Sequence, residues 1–208
     1  MTKLLELDTQ RRDAILNAAL KEFSSQGYDN ASTNVIAKEA GISKALMFHY
    51  VSSKQELFLV VYDFFSDLME REYYELMNYD EKDIFDRLRQ SYALQIALLE
   101  KYPWITDISN LSRITNSEEI NRELKKREEH TSCYPKLFDG IDISKFRKGL
   151  DIEICKQFIL WANIGFTNQI LDEIRADEAK VINPDLLLKK LDIYFNELRK
   201  VFYGLGYE

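Results

Sequence analysis

The residues best suited to chemistry lie between Ser32 and Tyr50, and that chemistry is contact with nucleic acid. Lys44 can donate hydrogen bonds to guanine edges or to phosphate, while Ala45 and Leu46 offer apolar contact to thymine methyl groups. Catalysis has little support, since the chain has only two histidines, no glycine-rich phosphate loop and no nucleophile signature. We therefore predict a binding protein and not an enzyme.

The same stretch has the pattern of two short helices joined by a tight turn. Ile36, Ala37 and Ala40 fall on one helical face, Gly41 supplies the turn, and Ser43 can cap a second helix. This pattern predicts a helix-turn-helix, whose second helix enters a DNA major groove. Apolar Met47 should pack this helix on its support, leaving the following residues pointing outward: Lys44, Ala45, Leu46, Phe48 and His49.

Residues 10–62 resemble the N-terminal DNA-binding domain of the TetR family of bacterial transcriptional regulators. The resemblance is strongest in Ile36-Ala-Lys-Glu-Ala-Gly-Ile-Ser-Lys, in Phe48-His-Tyr and in Lys54-Gln-Glu-Leu-Phe. Two positions depart from the common pattern, because Ala45 stands where glycine is frequent and Leu46 where a small hydroxyl residue is frequent. The resemblance thus implies DNA binding but no particular operator sequence.

Other residues are predicted to contact the DNA backbone. Thr33 begins a helix where a hydroxyl suits phosphate, and the resemblance implies backbone contacts by Thr33 and Tyr50. Lys54 lies in the first turn of a fourth helix, where a cation opposes the helix dipole and suits a phosphate partner. The predicted DNA contacts are Thr33, Ser43, Lys44, Ala45, Leu46, Phe48, His49, Tyr50 and Lys54. Capping, packing or plain surface roles are the alternatives.

Arg11 and Arg12 lie near the start of the first helix, predicted over residues 9–26 with Gly27 past its end. They are either a solvated surface pair or a contact to phosphate or the minor groove. The sequence leaves both interpretations open.

Composition favours an all-α fold of about nine helices. The 208 residues are 46% hydrophobic and 30% charged, with only three prolines and seven glycines. We predict a three-helix DNA-binding head at residues 1–53 and a helical ligand-binding and dimerisation domain at 54–208. The net charge is −7, but residues 1–55 carry +1. The protein should therefore bind DNA only through its head.

Several other classes of function are disfavoured. No apolar run reaches the roughly 18 residues of a membrane span, and the acidic N-terminus is unlike a signal peptide. We expect a cytoplasmic protein with no membrane partner. Cys133 and Cys155 lack metal or redox spacing, so no metal or cofactor is predicted.

The last two predicted helices, over 151–175 and from 183 onward, are apolar on more than one side. One side should face the core and the other a second subunit, in a four-helix dimer interface. A wholly internal packing pair in a monomer is the alternative. The predicted interface residues are Phe158, Ala162, Gly165, Leu191, Tyr194, Leu198 and Phe202.

Aromatic and polar residues of the C-terminal domain could line an effector cavity. An aromatic lining in an acidic domain suits a small hydrophobic effector, including a cationic one. For each residue, core packing is the alternative. The predicted lining residues are Tyr62, Phe65, Tyr92, Trp104, Phe158, Trp161, Asn163, Phe166 and Gln169.

The predicted function is a homodimeric repressor that occupies a palindromic operator and releases it when a small molecule binds. Repression is implied by the resemblance. A helical protein-interaction module with a purely structural helix-turn-helix is the alternative. Salt dependence separates the two, because binding through phosphate contacts weakens steeply as salt rises.

Overall fold

A computed structural model describes residues 2–111, 115–127, 137–176 and 182–206. Over these residues the chain forms nine α-helices and no β-sheet strand, which confirms the predicted all-α fold. The helices are α1 Thr9–Asn30, α2 Thr33–Glu39, α3 Lys44–Tyr50, α4 Lys54–Met69, α5 Ile84–Lys101, α6 Ile108–Leu111, α7 Glu118–Lys125, α8 Ile152–Arg175 and α9 Pro184–Phe202. A π-helical segment at Glu70–Tyr74 follows α4.

The described residues separate into two compact units. The first unit comprises residues 1–72 and 101–131, and the second comprises residues 73–100 and 132–208. The first unit therefore contains α4, α6 and α7 in addition to the predicted head. The two units are groups of residues that pack together. The functional boundary between residues 53 and 54 stays a prediction.

The first unit is built around α1. Ile15, Leu16 and Phe23 recur at helical spacing and are fully buried, so they form the inner side of this helix. Gly27 has a φ of +72°, which breaks the helical geometry at the position predicted. Phe23 also packs edge-on against Phe58 of α4, with ring centroids 5.1 Å apart. α1 therefore packs against α2 and the start of α4, and α2 packs in turn against α3.

The start of α4 is fixed by a capping arrangement. The Ser53 hydroxyl accepts a hydrogen bond from the Glu56 N–H at 3.0 Å. The Glu56 carboxylate reaches back to the Ser52 N–H at 2.6 Å and also accepts from the Ser52 hydroxyl. These hydrogen bonds lower the pKa of Glu56. The helix consequently begins at Lys54, as its sequence predicts.

The second unit packs α5, α8 and α9 around a core that includes a buried ion cluster. Asp83 accepts from Lys145 at 2.8 Å and from Arg199 of α9 at 3.2 Å, and Arg199 also pairs with Asp86 at 2.6 Å. Burial by itself raises the pKa of Asp83, but the hydrogen bonds and the nearby cations outweigh that effect and lower it. This cluster ties α9 to the start of α5.

Arg87 is the largest fully buried side chain of the second unit. Its guanidinium donates to the backbone carbonyls of Tyr79, Leu137 and Asp139 at 2.7–3.0 Å. A guanidinium has five N–H donors in a planar fork, so one side chain can hold several irregular segments together. Arg87 therefore holds the segments around Tyr79 and around Leu137 and Asp139 against α5.

Candidate nucleic-acid interface

The predicted helix-turn-helix is present as α2, a turn and α3. Ile36 of α2 and Met47 of α3 are fully buried and hold both helices against the first unit's core. Gly41 has a φ of +70°, a left-handed conformation that permits the tight turn. Ser43 then caps α3, because its hydroxyl accepts from the Leu46 N–H at 3.1 Å. Such a cap stabilises a helix by about 1 kcal/mol.

The outer side of α3, which we call the recognition surface, combines one cation with small and apolar groups. Only Met47 of this helix is buried, while Phe48 and Tyr50 are half-buried. The Lys44 Nζ lies 5.9 Å from the centre of the Phe48 ring, one helical turn away. The surface is thus poor in hydrogen-bond donors and suited to apolar contacts. Its exposed residues are Ser43, Lys44, Ala45, Leu46 and His49.

Two of the predicted backbone contacts flank this surface. Thr33 is the first residue of α2 and is half-buried, and the preceding Ser32 makes no capping hydrogen bond through its side chain. Tyr50 ends α3, where its carbonyl accepts from the Thr2 hydroxyl at 3.0 Å and its ring packs against His49. These positions hold hydroxyl groups at both ends of the helix-turn-helix, a distribution that suits phosphate contacts.

Lys54 has partners of its own within the first unit. Its Nζ donates to the Asp29 carbonyl at 3.1 Å and lies 5.0 Å from the centre of the Tyr28 ring. Burial, together with the charges of Glu119 and Asp29, raises the pKa of Tyr28, so this ring stays neutral. An ammonium group has three donors. Donation to one carbonyl therefore leaves Lys54 able to bind phosphate as well.

The second unit carries a different surface on α8 and α9, which we call the apolar face. Large apolar residues recur at steps of three, four, seven or eight residues, so they share one side of each helix. They are 45–68% exposed, far more than core residues. The apolar face comprises Ile154, Phe158, Trp161 and Ile164 of α8 with Leu186, Ile193 and Val201 of α9.

An open groove of about 620 Å³ lies between α8 and α9 and is lined in part by Ile193 of the apolar face. Phe166 of α8 stacks on Tyr194 of α9 in this groove, with ring centroids 5.1 Å apart. Residues predicted for an interface and residues predicted for a pocket therefore line the same surface. The groove is lined by Ala162, Gly165, Phe166, Gln169, Lys190, Ile193, Tyr194 and Glu197.

Two of the predicted interface residues are buried within the chain itself. Leu191 and Phe202 are buried in the second unit's own core, because they lie on the inner side of α9. Leu198 and Tyr194 are half-buried at its edge. Ile193 is the most exposed residue of the face and was not predicted, because it lies two, one and five residues from Leu191, Tyr194 and Leu198 and so on a different side of the helix.

The predicted effector residues are divided between the units. Tyr62, Phe65 and Trp104 belong to the first unit, where Phe65 is fully buried and Trp104 faces the Lys21 ammonium at 5.7 Å. In the second unit, Phe158 and Trp161 lie on the open surface instead of lining a cavity. The effector pocket formed by these residues therefore stays a prediction.

Tyr92, Asn163 and Gln169 complete that set in the second unit. The Tyr92 hydroxyl lies 2.8 Å from the Thr167 hydroxyl and donates to the Asn163 carbonyl at 3.1 Å. Asn163 is buried, and its side-chain N–H donates to the Ile159 carbonyl at 2.9 Å. Its Oδ1 is buried with no hydrogen-bond partner among the described residues. Gln169 is exposed and borders the groove.

Metal-binding clusters and membrane-spanning helices are absent from the described ranges. Those ranges contain no group of three or more histidine, cysteine or carboxylate side chains that could hold a metal ion. They also contain no helix with the length and apolar character needed to span a bilayer. Cys155 is buried, which raises its pKa, and Cys133 and His130 lie outside the described residues.

Taken together, the capped α3 and its exposed recognition surface define a helix-turn-helix DNA-binding protein. Residues 15–61, from α1 into α4, match the family described as bacterial regulatory proteins, tetR family. These residues form a DNA-binding domain of the TetR type, and the relatives that the chain matches are transcriptional regulators and not enzymes.

Two curated relatives extend the comparison. The fatty acid metabolism regulator protein of Bacillus subtilis is 22% identical over 153 residues, which cover 70% of this chain and 75% of the relative. The nucleoid occlusion factor SlmA of Vibrio campbellii is 30% identical over 101 residues, covering 48% of this chain and 51% of the relative. The chain thus spans about half the length of that second relative.

Two solved structures share the fold. The ketosteroid transcriptional regulator KstR2 of Mycobacterium tuberculosis is 18% identical with a TM-score of 0.55, covering 95% of this chain and 97% of that one. AibR, solved in complex with isovaleryl coenzyme A and operator DNA, is 17% identical with a TM-score of 0.50, covering 88% and 95%. At such identities the likeness concerns the fold alone.

Proposed function

We propose that this regulator is a homodimeric repressor that binds a palindromic operator through α3 and releases it when a small molecule binds. The observation that carries the proposal is the apolar face, which lies in the same chain as an exposed recognition surface. One seven-residue helix reads only a few base pairs. Two such helices related by a two-fold axis read a palindrome, and the apolar face supplies the means to pair them.

Dimerisation through the apolar face follows from the energetics of burial. Trp161, Phe158 and Ile193 are all more than half exposed in one chain. Covering a large apolar side chain stabilises a complex by about 1.5–3 kcal/mol. Ala162 and Gly165 border the groove, and small residues there permit the close helix approach of a four-helix packing between two copies.

The recognition surface limits how the operator is read. Lys44 is its one cation, suited to guanine or phosphate, while Ala45 and Leu46 suit thymine methyl groups. Thr33, Tyr50 and Lys54 would hold the backbone on either side. We expect half-sites about 34 Å apart, one helical turn of DNA or a multiple of it. Such a protein acts in the cytoplasm, where the bacterial chromosome lies.

The effector we propose is an acyl thioester of coenzyme A. The Bacillus subtilis relative is a fatty acid metabolism regulator, and AibR was solved with isovaleryl coenzyme A. In the second unit, the buried Asn163 Oδ1 has an unused acceptor. The amide N–H groups of coenzyme A can donate to such an acceptor, whereas the carboxylate of a free fatty acid cannot. Release requires this effector to prefer the conformation that does not bind DNA.

The test of DNA binding is selection of the purified protein against random duplex DNA at near-physiological salt, followed by sequencing. An enriched palindrome with two half-sites is the expected result. No enrichment, with folded and ligand-free protein, would contradict the proposal and favour the protein-interaction module.

The test of the effector measures release of the selected duplex by fluorescence anisotropy. An acyl-coenzyme A should release the DNA, while coenzyme A alone and the matching free fatty acid should not. Asn163→Leu should weaken the acyl-coenzyme A effect about tenfold, because a buried hydrogen bond of this kind contributes roughly 1–1.5 kcal/mol. Equal release by the free acid would remove the thioester from the proposal.

A further inference from the structure

Arg11 and Arg12 are neighbours on α1 but have different surroundings in the first unit. The Arg12 guanidinium pairs with the Asp13 carboxylate at 3.0 Å and lies 5.6 Å from the centre of the Phe64 ring on α4. Its side chain is only 23% exposed. Arg12 is therefore committed to holding α1 against α4, and its charge is largely compensated within the protein.

Arg11 has the opposite environment. Its side chain is exposed, and its guanidinium makes no ion pair or hydrogen bond to any part of the chain that the structure describes. Only its backbone N–H is used, donating to the Asp8 carboxylate at 3.0 Å. An exposed guanidinium without an internal partner keeps all five of its donors for an external acceptor.

Arg11 borders an open groove that can hold such an acceptor. A groove of about 520 Å³ separates the start of α1 from the turn and the start of α3. Arg11 lines one wall of this groove, and Ser43 and Leu46 of the recognition surface line the other. Asp8 also borders the groove, but its carboxylate caps α1, where the N-terminal end of the helix dipole offsets its charge.

We propose that Arg11 binds a backbone phosphate of the DNA strand that runs beside the recognition surface. The guanidinium fork matches a phosphate in two parallel hydrogen bonds, which fix orientation as well as add affinity. Arg11 thereby sets the angle at which α3 enters the major groove, on the side opposite to Lys54. Because the recognition surface carries one cation, this contact adds to the charge that the head offers to DNA.

The experiment measures binding of the full chain to its selected duplex and to a scrambled duplex, between about 50 and 200 mM salt. Arg11→Gln should weaken binding to both duplexes about 5- to 10-fold and lower the slope of log affinity against log salt by about 1. Lys148→Ala, which removes an exposed charge from the second unit, is the matched control and should leave affinity and slope unchanged. Thermal unfolding of Arg11→Gln should match that of the unmodified protein.

Because this assignment rests on the proposed DNA binding, the outcomes separate the two. If the unmodified protein binds neither duplex, both the repressor and the Arg11 contact are wrong. If it binds and Arg11→Gln keeps its affinity and slope, only the Arg11 contact is wrong. A change confined to the selected duplex would show a base contact and would overturn the phosphate assignment.

Discussion

The recognition surface and the apolar face show two ways in which one chain leaves groups exposed. The recognition surface belongs to a seven-residue helix and carries one lysine among small or apolar side chains. The apolar face spans helices of 24 and 19 residues and leaves Trp161 58% and Ile193 68% exposed. The first is too small for tight binding alone, and the second is too apolar to face water without cost.

From this difference we expect DNA binding to depend mainly on charge and self-association to depend mainly on burial of apolar side chains. Contacts to DNA from the head rely on a few donors and on salt-dependent attraction. The dimer contacts that we propose for the apolar face rely on removing large side chains from water, which is nearly independent of salt. Substitutions in one region should therefore change one property and spare the other.

The largest effect is expected for Trp161→Asp on the apolar face. A charge at the centre of a buried interface should weaken self-association by at least about 100-fold, or ~3 kcal/mol. Folding should survive, because Trp161 is already exposed in the single chain. Sedimentation velocity over a range of protein concentrations gives the dimer affinity. Ile143→Asp, at a similarly exposed site outside the face, is the control, and an intact Trp161→Asp dimer would remove the face from the interface.

The next effect concerns the ion cluster that holds α9 and so supports the apolar face. Asp83→Asn should lower the free energy of unfolding by about 2–4 kcal/mol, because it leaves Lys145 and Arg199 without their buried anion. Urea unfolding measures this loss. Asp192→Asn breaks an exposed pair with Arg89 and should cost under about 1 kcal/mol. Equal losses for the two variants would mean that burial of the cluster is unimportant.

The same carboxylate predicts a pH dependence. The pKa of Asp83 is lowered in the folded protein from its ordinary value of 3.8. Its contribution to stability is therefore complete above pH 3.8 and is lost as the pH falls through the lowered value. Urea unfolding at several acidic pH values should show a shallower fall for Asp83→Asn than for the unmodified protein. Parallel curves would contradict this assignment.

A smaller effect is expected on the recognition surface. Lys44→Ala should weaken binding to the selected duplex by about tenfold and relax the preference at one base pair of each half-site, as loss of one base contact does. Dimer affinity should stay unchanged. Repeating the selection with the variant identifies the relaxed position. An unchanged selected sequence would show that Lys44 contacts only the backbone.

The smallest effect is expected at the edge of the same surface. Tyr50→Phe removes one hydroxyl while keeping the packed ring, so binding should weaken about two- to fivefold on selected and scrambled duplexes alike. Anisotropy titrations on both duplexes measure this. Leu46→Ala is the informative comparison, since loss of an apolar base contact should affect the selected duplex more.

Local features of the fold follow closely from the sequence. Gly27 and Gly41 have positive φ values at the helix end and the turn predicted for them, and Ser43 and Asn183 cap the helices that follow. Each of these features depends on residues within one helical turn, so nearby spacing is sufficient to predict it. The burial of Met47 beneath an outward-facing Lys44 has the same origin, because helical periodicity alone separates the two sides of α3.

For other side chains, tertiary packing decided which are buried and which stay exposed, and helical periodicity did not predict this. Phe65 and Phe158 are the same residue type, yet one is fully buried in the first unit and the other is half exposed on the apolar face. Arg11 and Arg12 are neighbours, yet only the Arg12 guanidinium pairs with the Asp13 carboxylate and packs over the Phe64 ring of α4. The sequence determined which segments are helices and where they begin. Which side of each helix stays uncovered depends on contacts between distant segments, and those contacts exist only in the folded chain.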